Sequence, residues 1–238
     1  MLIDAAVLAG GRSSRLGSAN KASLQMAGLS LLEHAVSAAL SISRTCVVVG
    51  PTDPLLHSDA VLFTTEYPPF SGPAAALAAG VNRLSSSSES ESDAILILAC
   101  DMPGIRVQLP LLAAALASAP ADVDGAISVD ANGYRQPLAC LYRRHALLRA
   151  ISQHADDGRA GDAALAGLSG LSMRALIEPL NLIPVAAVLK ATDDVDTWED
   201  AARLGATDPS ANSSTQPRTN SRTDSRTDSR TETKAEAE

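Results

Sequence analysis

The stretch Ala94-Ile95-Leu96-Ile97-Leu98-Ala99 is apolar at every position and runs straight into Cys100-Asp101-Met102-Pro103. A strand with one face in water alternates apolar and polar side chains, so a short unbroken apolar run needs cover on both faces. The same pattern recurs in Ala5-Ala6-Val7-Leu8 before a glycine pair, in Cys46-Val47-Val48-Val49 before Gly50-Pro51, and in Val61-Leu62-Phe63. Between these runs lie stretches of helical spacing. Residues 31–40 put Leu32, Ala35, Val36 and Ala39 on one face, 73–84 is Ala-rich with Pro73 at its start, and 109–119 is a third. Residues 125–129 and 134–142 read as strands around a polar Asp-Ala-Asn-Gly turn, and 182–188 as a last strand. Buried strands separated by helices predict an α/β fold, a doubly wound and mostly parallel sheet with helices on both faces. In such sheets ligands bind beyond the carboxyl ends of the strands, which directs attention to the residues after Leu8, Ala99 and Val188.

From about residue 206 hydrophobic residues nearly vanish, and Arg218, Arg222, Arg226, Arg230 and Lys234 recur among Ser, Thr and acids. Such a segment has nothing apolar to offset chain entropy, so residues 1–205 are expected to fold and 206–238 to form a disordered, low-complexity tail. A second low-complexity stretch, residues 85–92, reads as a surface loop. With 19 Lys and Arg against 27 Asp and Glu, a net charge of −8 and only 3% aromatics, the chain is a poor partner for nucleic acid. No apolar run reaches the roughly 18 residues that a membrane span needs. The N-terminus carries Asp4 and no basic flank, unlike a signal peptide. Cys46, Cys100 and Cys140, odd in number and set among apolar residues, read as reduced core thiols of a cytoplasmic protein.

The first loop reads Leu8-Ala9-Gly10-Gly11-Arg12-Ser13-Ser14-Arg15-Leu16-Gly17, then Ser18-Ala19-Asn20-Lys21. Adjacent glycines let the chain turn sharply and let a ligand approach the main chain, whose N–H groups can form an anion-binding concavity. The spacing fits neither the dinucleotide fingerprint nor a Walker loop. The only cations in the first 43 residues, Arg12, Arg15 and Lys21, all lie on this loop. They point to a phosphate clamp, with Arg15 as a forked donor and Lys21 as a point charge.

Leu8-Ala-Gly-Gly-x-Ser-x-Arg15-Leu-Gly17-x-x-x-Lys21 resembles the signature of the molybdenum cofactor guanylyltransferase family, within the MobA-like nucleoside triphosphate transferases. The likeness covers roughly residues 4 to 204 and is densest in the first forty. Asn20 stands where an acid commonly precedes the lysine, and Leu16 replaces the usual Met. The resemblance implies nucleotide contacts by Leu8, Ala9, Gly10, Gly11, Arg15 and Lys21.

Asp101, at the carboxyl end of the central strand, reads alone as a turn former or helix cap. Beside a phosphate loop it suits a hard cation, since Mg²⁺ prefers one or two carboxylates plus phosphate oxygens. The resemblance makes Asp101 the metal-binding acid. Asp193-Asp194-Val195-Asp196-Thr197-Trp198-Glu199-Asp200 reads in part as the N-terminal cap of a final helix. It also resembles the family's Asp-x-Asp-Thr-Pro-Glu-Asp segment, with Trp198 for Pro, which makes Asp196 either a second metal ligand or a residue that orders the product. Glu66 stands for the family's Asp in the loop before Gly72-Pro73, where the resemblance implies a nucleotide contact. Gln136-Pro137-Leu138-Ala139 with Tyr142-Arg143 resembles the segment lining the acceptor side, and reads equally as a plain edge strand.

His34, His57, His145 and His154 are scattered without metal-ligand spacing, and no G-x-S-x-G elbow is present. The resemblance implies Mg²⁺-dependent transfer of GMP from GTP to molybdenum-loaded molybdopterin with release of pyrophosphate. Arg15, Lys21 and Asp101 are then the catalytic set, and the expected partners are these substrates and, transiently, proteins that assemble molybdoenzymes. Two alternatives stay open: a molybdopterin cytidylyltransferase or other small-molecule nucleotidyltransferase, and a non-catalytic nucleotide-binding scaffold.

Overall fold

Strand β1 (Ile3–Leu8) is buried along its whole length because it lies between two parallel neighbours, β4 (Cys46–Val49) and β6 (Ala94–Ala99). This computed structural model describes residues 1–10, 16, 20–56, 58–86, 92–155 and 167–209. Two short strands, β2 (Gln25–Met26) and β3 (Leu29–Ser30), form a separate antiparallel pair ahead of helix α1 (Leu31–Leu40). The main sheet adds β5 (Val61–Thr64), β7 (Gly125–Val129), β8 (Arg135–Arg143) and β9 (Leu182–Ala186) in the order β5-β4-β1-β6-β8-β7-β9. Only β8 runs antiparallel to its neighbours. The mostly parallel, doubly wound sheet expected from the apolar runs is therefore the one observed.

Alternate residues of one strand feed two separate cores. Ala5, Val7, Leu96 and Leu98 pack under α1 and α3 (Leu109–Ser118). Ala6, Leu8, Ile95 and Ile97 pack under α2 (Pro73–Ser85), α4 (Arg144–Ser152) and α5 (Met173–Ile177). That is why these runs could not alternate with polar residues. On the second face, α2 approaches the sheet so closely that a Cβ at Gly80 would lie 2.8 Å from Val49 Cγ2 and 3.2 Å from the Cβ of Ala6. Overpacking of this kind costs more than the helix propensity that a side chain restores. Gly80→Val is expected to lower stability by about 2 kcal/mol, read as a lower Tm in thermal unfolding.

A third, small core joins Leu16, Leu24, Leu31, Val195, Ala201 and Ala206. It fixes helix α6 (Trp198–Leu204) beside the first loop. Folding passes the expected boundary at residue 205, since Ala206 is buried and Thr207 exchanges two 2.8 Å backbone hydrogen bonds with Gln25. Residues 210–238 of the expected tail and 87–91 of the low-complexity loop lie outside the described residues. Among the described residues, no helix is long and apolar enough to cross a membrane. Cys46, Cys100 and Cys140 are free and buried, and burial pushes the Cys46 and Cys100 thiols up to about 12, so they stay neutral.

Candidate active site

Strand order reverses direction between β1 and β6, and the chain leaves the two carboxyl ends toward different connections. A crevice at that point is a topological consequence of the winding. Here it is a cavity of about 690 Å³ lined by Leu8, Ala9, Gly10, Lys21, Glu66 and Asp101, together with Phe70, Leu138 and Asp196.

The floor is main chain. Ala9 N–H donates to the Val49 carbonyl at 2.9 Å, continuing the β1–β4 pairing one residue beyond the strand. Gly50, at φ +155°, passes so near that a Cβ there would meet the Ala9 carbonyl carbon at 3.0 Å. Gly10 differs. A Cβ built on it would meet nothing nearer than the Val49 carbonyl oxygen at 3.8 Å. Among the described residues no steric demand requires glycine at this position, which leaves the main chain there open to a ligand. Gly10→Ala is therefore expected to keep the parent Tm while weakening binding of a triphosphate ligand in this cavity about tenfold, checked by thermal unfolding and titration calorimetry. Gly11, Arg12 and Arg15 lie outside the described residues.

Lys21 opens a short helical turn, Lys21–Ser23, whose first free N–H groups need a cap. Asn20 supplies it: its side-chain oxygen accepts from Ala22 N–H at 3.2 Å. The asparagine that departs from the family pattern thus orients Lys21. The Lys21 ammonium donates to Asp101 Oδ2 and to Asp196 Oδ1, both at 2.5 Å. Burial alone would lower its pKa, but attraction to Asp101 and hydrogen bonds to both carboxylates outweigh burial and hold it above the ordinary lysine value. It is a fixed positive charge at any working pH.

Asp101 follows the end of β6 after one residue, Cys100. Its Oδ1 is buried and without a hydrogen-bond partner. A buried anionic oxygen left unpaired is costly, and its natural complement is a cation arriving with a ligand. Asp196 comes from the far end of the chain, held in place because the neighbouring Val195 N–H donates to the Asp101 carbonyl at 3.1 Å. Among the described residues no group of three or more His, Cys, Asp and Glu side chains forms a closed metal cage. Two carboxylates beside an open cavity fit Mg²⁺, which leaves its other positions to substrate oxygens and water.

The acidic stretch before α6 divides its labour. Thr197 and Asp200 form a reciprocal capping box, and Asp193 and Asp200 pair with Arg203, so these acids are structural. Asp194, which the sequence did not single out from its neighbours, is exposed. Partial loss of solvation, then repulsion from Asp196 and Asp101, raises its pKa. It lines a second cavity of about 380 Å³ with Asp130, Tyr134, Gln136, Leu189 and Lys190. Glu66 does reach the first cavity, where its Oε1 accepts from Phe70 N–H at 3.0 Å. Phe70 itself went unnoticed in the sequence. One of two phenylalanines in the chain, it lines the cavity with its main chain at φ +64°.

One expectation needs correcting. Strand β8 runs antiparallel, so Tyr142 and Arg143 pair with Ile95 and Ala94 at the start of β6, the edge opposite Asp101. Tyr142 is fully buried, and Arg143 donates to carbonyls of Val123, Ala119 and Pro120. Neither lines an acceptor site; of that segment only Gln136 and Leu138 reach the two cavities. His34 hydrogen-bonds the Met26 carbonyl at 2.8 Å, a packing role, and His57 lies outside the described residues.

The sequence model of the MobA-like NTP transferase domain matches residues 5–171. A probable molybdenum cofactor guanylyltransferase of Nostoc sp. is 35% identical over 149 residues, which are 61% of this chain and 68% of that protein. A molybdenum cofactor guanylyltransferase of Cupriavidus metallidurans is 25% identical over 209 residues, covering 85% of this chain and 97% of that one. In fold, the chain is similar to molybdopterin-guanine dinucleotide biosynthesis protein A from Archaeoglobus fulgidus, with TM-score 0.57, 18% identity, and coverage of 84% and 96%. A Mycobacterium tuberculosis protein solved in complex with manganese gives TM-score 0.56 at 16% identity, covering 86% and 97%.

Proposed function

Because the chain belongs to the MobA-like NTP transferase family, and is a nucleotidyltransferase like its curated relatives, we propose that it transfers GMP from GTP to molybdenum-loaded molybdopterin and releases pyrophosphate. The observation that carries this reading is the Lys21 ammonium gripped between Asp101 and Asp196 beside a main-chain floor that leaves Gly10 open to a ligand.

In the proposed reaction an oxygen of the acceptor's terminal phosphate attacks the α-phosphorus of GTP. A new P–O bond forms, the bond from the α-phosphorus to the β-phosphate bridging oxygen breaks, and pyrophosphate leaves with that electron pair. A phosphate monoester is already anionic near pH 7, its second pKa being about 6, so no general base is needed. This suits a cavity lined by no histidine among the described residues. The protein's work is positioning and charge stabilisation. The main chain from Leu8 through Gly10, with Gly11 and Arg15 added by the family pattern, receives the phosphates. Lys21 turns from its two carboxylates toward the oxygens that gain charge. Asp101 and Asp196 are the residues that would hold Mg²⁺, and Glu66 keeps Phe70 at the cavity wall. When bound, that metal neutralises phosphate charge and polarises the phosphorus that is attacked.

The second cavity, across the 194–196 turn, offers space on the acceptor side with Gln136 at its edge. We place the enzyme in the cytoplasm, in keeping with its free, buried thiols. Residues 210–238 take no part in this chemistry, and a chain ending at Pro209 is expected to keep parent turnover within about twofold. GTP labelled at the α-phosphate tests the reaction type. Label passing to the molybdopterin product, with pyrophosphate released, is expected. GDP with inorganic phosphate would mean that the bond broken is the wrong one.

A further inference from the structure

Gln108 immediately precedes α3, sits outside the lining of both cavities, and is completely buried. A polar side chain rarely goes there unless both ends of its amide are satisfied. Both are. Val188 N–H donates to Gln108 Oε1 at 2.9 Å, and Gln108 Nε2 donates to the Ala186 carbonyl at 3.3 Å. Ala187 N–H, between them, donates to Val129 on the inner side of β9.

This pattern has a specific meaning. In a parallel ladder a residue bonds the N–H and the C=O that flank the residue opposite it. The Gln108 carboxamide does that to Ala187, so one side chain serves as a single-residue strand on the open edge of β9. It thereby fixes the point and direction in which the chain leaves the sheet. Eight residues beyond Val188 that chain delivers Asp196.

Two further attachments follow on the same stretch. Gly104 packs so tightly that a Cβ on it would lie 2.7 Å from the Lys190 carbonyl oxygen. Val195 N–H donates to the Asp101 carbonyl. The segment that carries Asp101 is thus tied at three places to the segment that carries Asp194 and Asp196. All three anchors belong to residues 101–108.

We propose that Gln108 is a positioning residue for the acid pair: by clamping the exit from β9 it sets where Asp196 stands against Asp101. The inference rests on the assignment of those two carboxylates as metal ligands. Support shells of this kind typically alter metal affinity about tenfold to hundredfold when removed.

The test uses Gln108→Leu, close in size but unable to hydrogen-bond, and Gly104→Ala, which pushes on the same turn from a different anchor. Mn²⁺ serves as the probe, and water-proton relaxation enhancement in the presence of GTP reports metal held on the protein. The expected result is Mn²⁺ affinity reduced about tenfold or more in both variants. GTP affinity in EDTA should stay within twofold of the parent, a split that general destabilisation would not produce. A folded Gln108→Leu protein that binds Mn²⁺ as the parent does overturns the inference. Should that variant fail to fold, parent-like Mn²⁺ affinity in Gly104→Ala overturns it equally. If instead the parent holds Mn²⁺ no better than Asp101→Asn, the metal assignment itself is wrong and the inference falls with it.

Discussion

Replacing Asp101 by Asn should reduce GMP transfer by about a thousandfold or more while leaving the protein folded. Asn matches Asp in shape, and its side-chain oxygen still accepts from Lys21, so little packing is disturbed. What disappears is the charge on a partly buried carboxylate whose buried Oδ1 has no hydrogen-bond partner. Among the described residues of the site, that oxygen is the one whose burial has no partner to account for it. The same change at Asp196 should cost less, on the order of tenfold to a hundredfold, because that side chain is 44% exposed against 17% for Asp101. Steady-state pyrophosphate release, with circular dichroism to confirm folding, checks both. Turnover of Asp101→Asn within tenfold of the parent would remove Asp101 from the mechanism.

The second large effect belongs to Lys21. Lys21→Met keeps the apolar stem and removes the charge, and turnover should fall about a hundredfold or more, the usual cost of losing one donor to a developing oxyanion. Stability should change as well, since the two acids then face each other without their counter-ion. The pair is only partly buried, so the loss at neutral pH is discounted to about 1–2 kcal/mol. The sign with pH follows from the direction of the Lys21 shift. A lysine held above its ordinary value stabilises the fold fully below that value and ceases to do so as pH rises through the folded-state pKa. The Tm difference between parent and Lys21→Met should therefore persist across neutral pH and shrink in strong alkali. A difference that vanished between pH 6 and 8 would contradict the ion-pair geometry.

The architecture was legible in the sequence because the apolar runs have no polar alternate, and only a sheet covered on both faces accommodates that. The proposed nucleotide loop stands out too, since its glycines and cations fall in a short stretch. Partnerships across long sequence separations were not. The run Asp193–Asp200 announces the helix cap that Thr197 and Asp200 form, but nothing in it shows that Asp196 crosses to Lys21, 175 residues away. Tyr142 and Arg143 were misplaced for a related reason. A strand's direction decides which end of the sheet its residues occupy, and β8 reverses while its apolar pattern stays the same. Gln108 gave no signal at all, as a lone polar residue before an apolar helix reads as a surface cap. Asn20 departs from the family pattern, yet it supplies the cap of the turn that Lys21 opens.

The proposed transfer of a guanylyl group onto molybdopterin is tested by incubating the purified protein with Mg²⁺, molybdenum-loaded molybdopterin and either GTP or CTP, and following pyrophosphate. Release is expected to require the acceptor and to be at least about tenfold faster with GTP than with CTP. Faster use of CTP, or pyrophosphate release indifferent to the acceptor, would contradict it.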